Sequence, residues 1–341
     1  MTSFAPLAAR DVRGMICGGR EAMTALTARV GAADSNMLFE LFQLNDAELL
    51  TAMRSATRAG RRLDVLADAR LSVGGAQAAI DGAVGASAGQ LRTYGEAHLT
   101  HSGEEYFQHG KSYHFAGPRG PEAWLTNLAP IPDTANRTEI SMVLGGDAAA
   151  AAQLVTRDAV NGGLRRGAAS IDAAAGVGVL VNDPLRDRRV LSEGVFELLH
   201  DQPAARDLLV ITKGLEDPAS TSAIIDAHRA GRDVRVLVRD IAAADAQRLA
   251  GAQVPAWVVS GGLKPRINAI FAGERGIVGT AFLWRNMVGS AAEATSRDVG
   301  VLLDGAAGAS ARSAALTAAR SGQVHTPIGE AVARGHLPEH I

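Results

Sequence analysis

Between His98 and His114 the chain carries four imidazoles, at His98, His101, His109 and His114, with the carboxylates of Glu104 and Glu105 among them. Imidazole is the one unperturbed side chain that exchanges a proton near neutrality, and in its neutral form it is also a nucleophile and a metal ligand. Two chemistries are open to such a cluster. One is a metal centre with imidazole and carboxylate ligands; the other is a histidine-rich surface supplying acid, base or substrate contacts. The spacing matches no recognised ligand pattern, so the second is preferred and no metal is expected. Inside the cluster stands His109-Gly110-Lys111. Residues two apart in an extended strand face the same side, so an ammonium is set beside an imidazole. His-x-Lys recurs by chance in many chains, and its weight depends on the frame around it. Gly85-Ala86-Ser87-Ala88-Gly89 has the letters of a nucleophile elbow, but that motif needs a strand before it and a helix after it. Here a helical stretch, AQAAIDGAVG, precedes and LRTYG follows, so Ser87 is read as a helix end and Cys17 as a packed residue.

The frame is an internal duplication, a feature that fixes a fold before any motif is read. Met37 to Gln43 is an apolar run, MLFELFQ, followed by a helical stretch ending in Arg58-Ala59-Gly60-Arg61. Asp207 to Lys213, DLLVITK, leads likewise to Arg229-Ala230-Gly231-Arg232. Short apolar strands follow from Leu63 and from Val234, at one constant offset of 171 positions. Each unit reads as a strand, helix, strand crossover, with parallel strands and a glycine cap on the helix. Further on, each half has a hairpin: Lys111 to Ala129 with its turn at Gly117 to Gly120, and Ile267 to Leu283 with its turn at Gly273 to Gly276. An acidic residue then opens a strand in each half, Glu139 and Asp298. The boundary is placed near residue 170, giving a first half of 1–170 and a second of 171–341, with a short aperiodic tail after Gly322. Trp124, Trp257 and Trp284 are read as core.

In this setting the chain resembles the phospholipase D superfamily. Members carry His-x-Lys on one hairpin strand, a Gly-Ser-x-Asn-type segment on the return strand and an acidic residue about a dozen positions on. His109, Lys111, Asn127 and Glu139 fall at matching places. The resemblance implies an α/β fold of two pseudo-symmetric halves, each a mixed, largely parallel sheet flanked by helices, with the active site in the cleft between them. It implies His109 as nucleophile toward a phosphodiester, forming a covalent phosphoenzyme, and Lys111 and Asn127 as binders of the phosphate oxygens. Glu139 would orient the imidazole. The chemistry implied needs neither metal nor cofactor.

The match has departures. Ala116 stands where the family often has Asp, and the return strand reads Trp124-Leu125-Thr126-Asn127. In the second half Arg266 takes the His place, Asn268 the Lys place and Phe282 the Asn place. A guanidinium stays protonated and cannot serve as a neutral acid or base, so the second half lacks the usual proton donor. His114, His101 and His98 are substitute candidates. Lys264 and Arg266 can hold a phosphate or carboxylate, and Thr126, Asn268 and Thr280 complete the expected substrate contacts. Three functions stay open: phosphodiester hydrolysis or phosphoryl transfer on a small or lipid-like substrate, a different reaction on a small anionic substrate, and binding without catalysis.

Bulk properties narrow the partners. Lys and Arg total 34 against 36 Asp and Glu, a net charge of −2, so no overall positive field favours nucleic acid or anionic membrane. No apolar run approaches the roughly 18 residues of a membrane span, no secretory leader opens the sequence, and a lone Cys17 excludes an internal disulfide. A cytoplasmic location is expected, a small-molecule or lipid-like anionic partner is expected, and a homodimer stays open.

Overall fold

The computed structural model describes residues 4–32, 34–68, 76–94, 106–162, 164–200, 207–261, 264–289, 295–321 and 323–335. The first half runs β1 (Val12–Cys17), α1 (Gly19–Gly31), β2 (Asn36–Leu41), α2 (Ala47–Arg58), β3 (Leu63–Asp68), α3 (Ala76–Ala86) and β4 (Leu91–Tyr94). It continues through β5 (Phe107–Gln108), β6 (Ser112–Gly117), β7 (Gly120–Thr126), β8 (Arg137–Thr138), β9 (Ile140–Leu144) and α4 (Gly146–Val160). Then come α5 (Leu164–Ala175), β10 (Val179–Asp183), β11 (Arg188–Arg189), α6 (Val190–His200), β12 (Asp207–Leu215), α7 (Pro218–Arg229), β13 (Asp233–Ile241), α8 (Ala243–Gly251) and β14 (Ala256–Ser260). The chain ends with β15 (Lys264–Pro265), β16 (Ala269–Ala272), β17 (Arg275–Gly279), α9 (Arg285–Val288), β18 (Ser296–Leu303), α10 (Gly305–Arg320), β19 (Val324–Pro327) and α11 (Ile328–Ala333).

The repeat governs the local structure as expected. β2 pairs parallel with β3, and β12 with β13, each through its helix. Both helices start on an aspartate whose carboxylate accepts a main-chain N–H from the first turn, Asp46 from Leu49 at 2.8 Å and Asp217 from Ser220 at 2.7 Å. Such caps satisfy an N–H that the helix leaves unpaired. Both stop at a glycine in the left-handed region, Gly60 with φ of 83° and Gly231 with φ of 84°, a conformation that other residues resist. Ser87 sits at the end of α3, where its hydroxyl bonds the Val84 carbonyl and accepts from the Leu63 N–H.

The sheets are mixed, with order β1-β9-β7-β6-β2-β3-β4 in the first half and β11-β10-β18-β17-β16-β12-β13-β14-β19 in the second. Along these strand orders parallel pairing runs through β2-β3-β4 and β12-β13-β14, and β5 adds a parallel pair on β18; hairpins and return strands make the rest antiparallel, so the sheets are mixed as expected but not largely parallel. The tail is also more ordered than its periodicity suggested. β19 pairs with β14 and α11 follows, covering an edge that would otherwise expose unpaired backbone groups. A four-residue strand is too short to show a period.

Around the first crossover lies one apolar core, with Leu26, Phe39, Met53, Leu63, Val65, Tyr113 and Phe115. A second core runs across the seam, joining Leu125, Ile140 and Met142 of the first sheet to Val179, Leu180, Val299 and Val301 of the second. The two halves are thereby held as one packed body, and the hairpins meet at that seam.

Candidate active site

Two short ladders tie the halves together. β5 leaves the first half and pairs parallel with β18, Phe107 opposite Ser296 and Gln108 opposite Arg297. His109 N and Gly110 N both donate to the Arg297 carbonyl, at 2.9 and 2.8 Å. β15 of the second half pairs parallel with β8, Lys264 opposite Arg137 and Pro265 opposite Thr138, and Arg266 N donates to the Thr138 carbonyl at 3.0 Å. The registers are equivalent. Arg266 stands to Glu139 as His109 stands to Asp298, so each half's motif lies beside the acidic strand of the other half. The hairpin registers also correct one assignment. Asn127 N bonds the Ile140 carbonyl and Thr280 N the Val299 carbonyl, so Thr280 rather than Phe282 is the counterpart of Asn127.

His109 is buried, and its Nδ1 lies 2.8 Å from Asp298 Oδ1. The expected orienter was Glu139; the carboxylate found on the imidazole comes from the opposite half, because the acidic strands are exchanged across the seam. Asp298 also accepts from Thr280 Oγ1 at 2.7 Å and from Ser296 Oγ. Burial works against its charge, but the His109 ring beside it and these hydrogen bonds hold its carboxyl below the usual range. An ionised Asp298 can only accept, so the ring proton sits on Nδ1 and Nε2 keeps its lone pair. Among the described residues Nε2 has no hydrogen-bond partner. Burial first, then the Lys111 ammonium, pushes His109 down to about 4, which leaves the imidazole neutral at neutral pH. Phe42 and Phe282 stand edge-on to the ring, each with centroids 5.0 Å away. The residue between the motif's His and Lys must be small: a Cβ on Gly110 would meet Glu40 Oε1 at 2.8 Å.

Lys111 is buried, donates from Nζ to the His109 carbonyl at 2.7 Å and lies 5.0 Å from the Phe42 ring centre. Burial lowers it to about 7. A second lysine, which the sequence did not single out, completes the cleft from the other half. Lys213, at the end of the apolar run of β12, sets Nζ 4.7 Å from the Phe282 ring and 4.9 Å from Trp284. Burial and the Arg266 charge lower it to about 8. Asn268, in the Lys place, accepts from Lys213 N at 3.0 Å and so fixes the strand that carries the substitute ammonium. Trp284, read as core, borders this lysine.

Glu139 is fully buried, and among the described residues neither of its carboxyl oxygens has a hydrogen-bond partner. Burial raises it to about 8, against the pull of Arg266, Arg137 and Lys111. Because the folded value exceeds the ordinary 4.5, folding takes up a proton here, and the carboxyl weakens the fold increasingly as pH rises from about 4.5 through about 8. Glu139→Gln is therefore expected to raise the urea midpoint at alkaline pH, by the equivalent of about 3 to 5 kcal/mol, and to leave it nearly unchanged at pH 4.

Other predicted contacts fall elsewhere. Asn127 donates from Nδ2 to the Arg266 carbonyl at 2.8 Å, holding the opposite motif strand. Thr126 is engaged internally, with Ser141 Oγ at 2.6 Å and Leu128 N at 2.9 Å. His114 does not join His109: it is buried with Nε2 2.8 Å from Ser112 Oγ and 3.1 Å from Thr156 Oγ1, and burial lowers it to about 3. Even-numbered positions of β6 point away from the motif's face, a parity that Ser112 and His114 share. His98, His101, Glu104, Glu105 and the side chain of Lys264 lie outside the described residues. Among the described residues no three His, Cys, Asp or Glu side chains are grouped as for a metal ion, and no helix is long and apolar enough to cross a membrane.

No protein-family model matches the chain, and no curated protein does. Solved structures do. Phosphatidylserine synthase of Haemophilus influenzae Rd KW20 superposes with a TM-score of 0.69 at 11% identity, over 98% of this chain and 91% of that one. A yeast tyrosyl-DNA phosphodiesterase mutant gives 0.58 at 10% identity, over 85% and 90%. Polyphosphate kinase from Porphyromonas gingivalis gives 0.57 at 12% identity over 85% of this chain, which spans only 44% of that larger protein. At such identities the likeness speaks for the fold, and together with the duplicated halves, the paired hairpins and the crossed ladders it shows that this chain has a phospholipase D-like fold.

Proposed function

We propose that the chain is a phosphodiesterase or phosphoryl transferase that works through a phosphohistidine at His109, on a small or lipid-like phosphodiester. The observation that carries this reading is the His109–Asp298 pair at 2.8 Å. It gives a neutral imidazole with a fixed tautomer, which is what a nucleophile facing an anionic phosphodiester requires. Attack by Nε2 splits one displacement into two easier ones. Lys111 and Lys213 flank the position from the two halves and would hold the equatorial phosphate oxygens, whose charge must be neutralised as the phosphoryl group transfers. Negative charge arriving beside Lys111 favours its protonated form, so the substrate itself restores the ammonium that burial disfavours. The walls offered by Phe42, Phe282 and Trp284 suit an organic or acyl substituent more than a second chain of phosphates.

The test is chemical trapping. Incubation with bis(4-nitrophenyl) phosphate, followed by rapid alkaline quench and peptide mass mapping, is expected to find a base-stable, acid-labile phosphoryl adduct on His109 and none in His109→Asn. Release of nitrophenol without any adduct, or an adduct that persists in His109→Asn, overturns the reading.

A further inference from the structure

We propose that Glu139 is the proton donor to the leaving group, replacing the imidazole that the second half lacks. This rests on the phosphohistidine reading above. Three observations support it. By register Glu139 occupies, toward position 266, the place that Asp298 occupies toward His109. Yet the two carboxyls are used differently. Asp298 is saturated, by His109, Thr280 and Ser296, whereas both oxygens of Glu139 are buried and, among the described residues, unpartnered. A buried ionised carboxylate without hydrogen bonds is disfavoured, so the group rests as the acid, and burial accordingly lifts it to about 8.

Among the described residues the surroundings leave few other donors. The charges that bear most on His109 and Glu139 are Lys111, Lys213, Asp298, Arg266 and Arg137, none of them an imidazole. Arg266 stays cationic. The lysines are needed as cations on the phosphate. Glu139 shares their space: Lys111, whose Nζ touches the His109 carbonyl, is among the charges acting on it. Arg266 and Arg137 also act on its carboxyl and would stabilise the carboxylate once the proton has left; among the described residues Arg266 Nε and Arg137 Nη1, both buried, have no hydrogen-bond partner.

The steps balance. Nε2 of His109 forms the N–P bond as the P–O bond to the leaving alcohol breaks, and the departing oxygen takes the proton of the Glu139 carboxyl. Water, or an acceptor alcohol, then bonds to phosphorus while Glu139 carboxylate takes its proton, and the N–P electron pair returns to Nε2. The phosphoryl group leaves as a monoester or a new diester, and both side chains regain their starting forms.

Leaving-group dependence tests this in the full-length protein. Glu139→Gln keeps shape and burial but has no proton to give. Single-turnover formation of phosphohistidine is compared for two substrates: a bis(4-nitrophenyl) diester, whose leaving group departs as an anion, and a dialkyl diester, which can only expel an alcohol. In Glu139→Gln the alkoxide-expelling reaction is expected to fall by about 10²- to 10⁴-fold, against less than about tenfold for the aryl reaction, while dephosphorylation by water slows and the adduct accumulates. Glu139→Asp, which retains an acid, is expected to recover part of the alkoxide reaction. Equal losses for both substrates, or no loss for either, overturn the assignment while the adduct on His109 upholds the parent reading. Absence of any adduct in the unsubstituted protein removes both.

Discussion

Asp298→Asn is expected to lower phosphoryl-transfer turnover by about 10³- to 10⁴-fold while leaving the fold intact. The carboxylate accepts from His109 Nδ1 at 2.8 Å and from Thr280 Oγ1 at 2.7 Å. An amide of the same shape presents either an oxygen or an NH₂ to the ring. When the NH₂ faces Nδ1 the ring must carry its proton on Nε2, and the nucleophilic lone pair is gone; a triad aspartate changed to asparagine elsewhere loses activity on this scale for that reason. Even with the oxygen facing the ring, the full negative charge that stabilises the developing cation on the phosphorylated imidazole is lost. The readouts separate chemistry from structure. Substrate affinity should change little, since Lys111 and Lys213 are untouched, whereas the trapping rate on His109 should collapse. Imidazole ¹⁵N shifts should move from an Nδ1–H pattern toward Nε2–H. A variant trapped at the unsubstituted rate would show that Asp298 only fills the seam.

That the decisive carboxylate lies 189 positions from its histidine explains how far the sequence could be read. The duplication was legible, because Gly60 and Gly231 repeat a left-handed cap and Asp46 and Asp217 repeat an N-cap; these are local devices with local signatures. The repeated acidic positions were legible too. What could not be read was their exchange. A residue pattern shows that Glu139 and Asp298 are equivalent, but not which half's motif each one faces, since that is decided by the way two sheets dock. Lys213 was hidden for a related reason. It closes the apolar run DLLVITK, two residues before β12 ends, where a lysine reads as the solvated end of the run, and its counterpart in the first half, 171 positions earlier, is Phe42. Each half thus carries one ammonium in the cleft, from different strands: Lys111 over Phe42 and Lys213 over Phe282. His114 lies close to His109 in sequence but not in function, because strand parity sends it into a buried network with Ser112 and Thr156.

That network is where the largest loss of stability is expected. Arg297 is among the largest fully buried side chains, and its guanidinium bridges Glu40 of β2 at 2.7 Å and Asp183 of β10 at 2.5 Å, joining both sheets. Removing one member of such a group leaves a buried charge uncompensated, and Arg297→Met is expected to lower unfolding stability by about 3 to 5 kcal/mol, read as a shift in the urea midpoint at unchanged slope. The loss should not be shared equally. Among the described residues Asp183 keeps Arg186 at 2.5 Å and the Tyr94 hydroxyl at 2.9 Å, whereas Glu40 keeps only the hydroxyls of Ser112 at 2.8 Å and Thr156 at 3.4 Å. Glu40→Gln in the Arg297→Met background is therefore expected to recover most of the deficit, and Asp183→Asn little, a non-additivity that a double-mutant cycle isolates. The main chain of Arg297 receives the N–H groups of His109 and Gly110, and Asp298 follows it directly. Loosening this residue should therefore also slow trapping at His109, and recovery of both stability and trapping in the Glu40→Gln background would show that the seam's charge balance, rather than the arginine itself, sets the nucleophile's position. A penalty that does not respond to Glu40→Gln would assign the loss to packing volume alone.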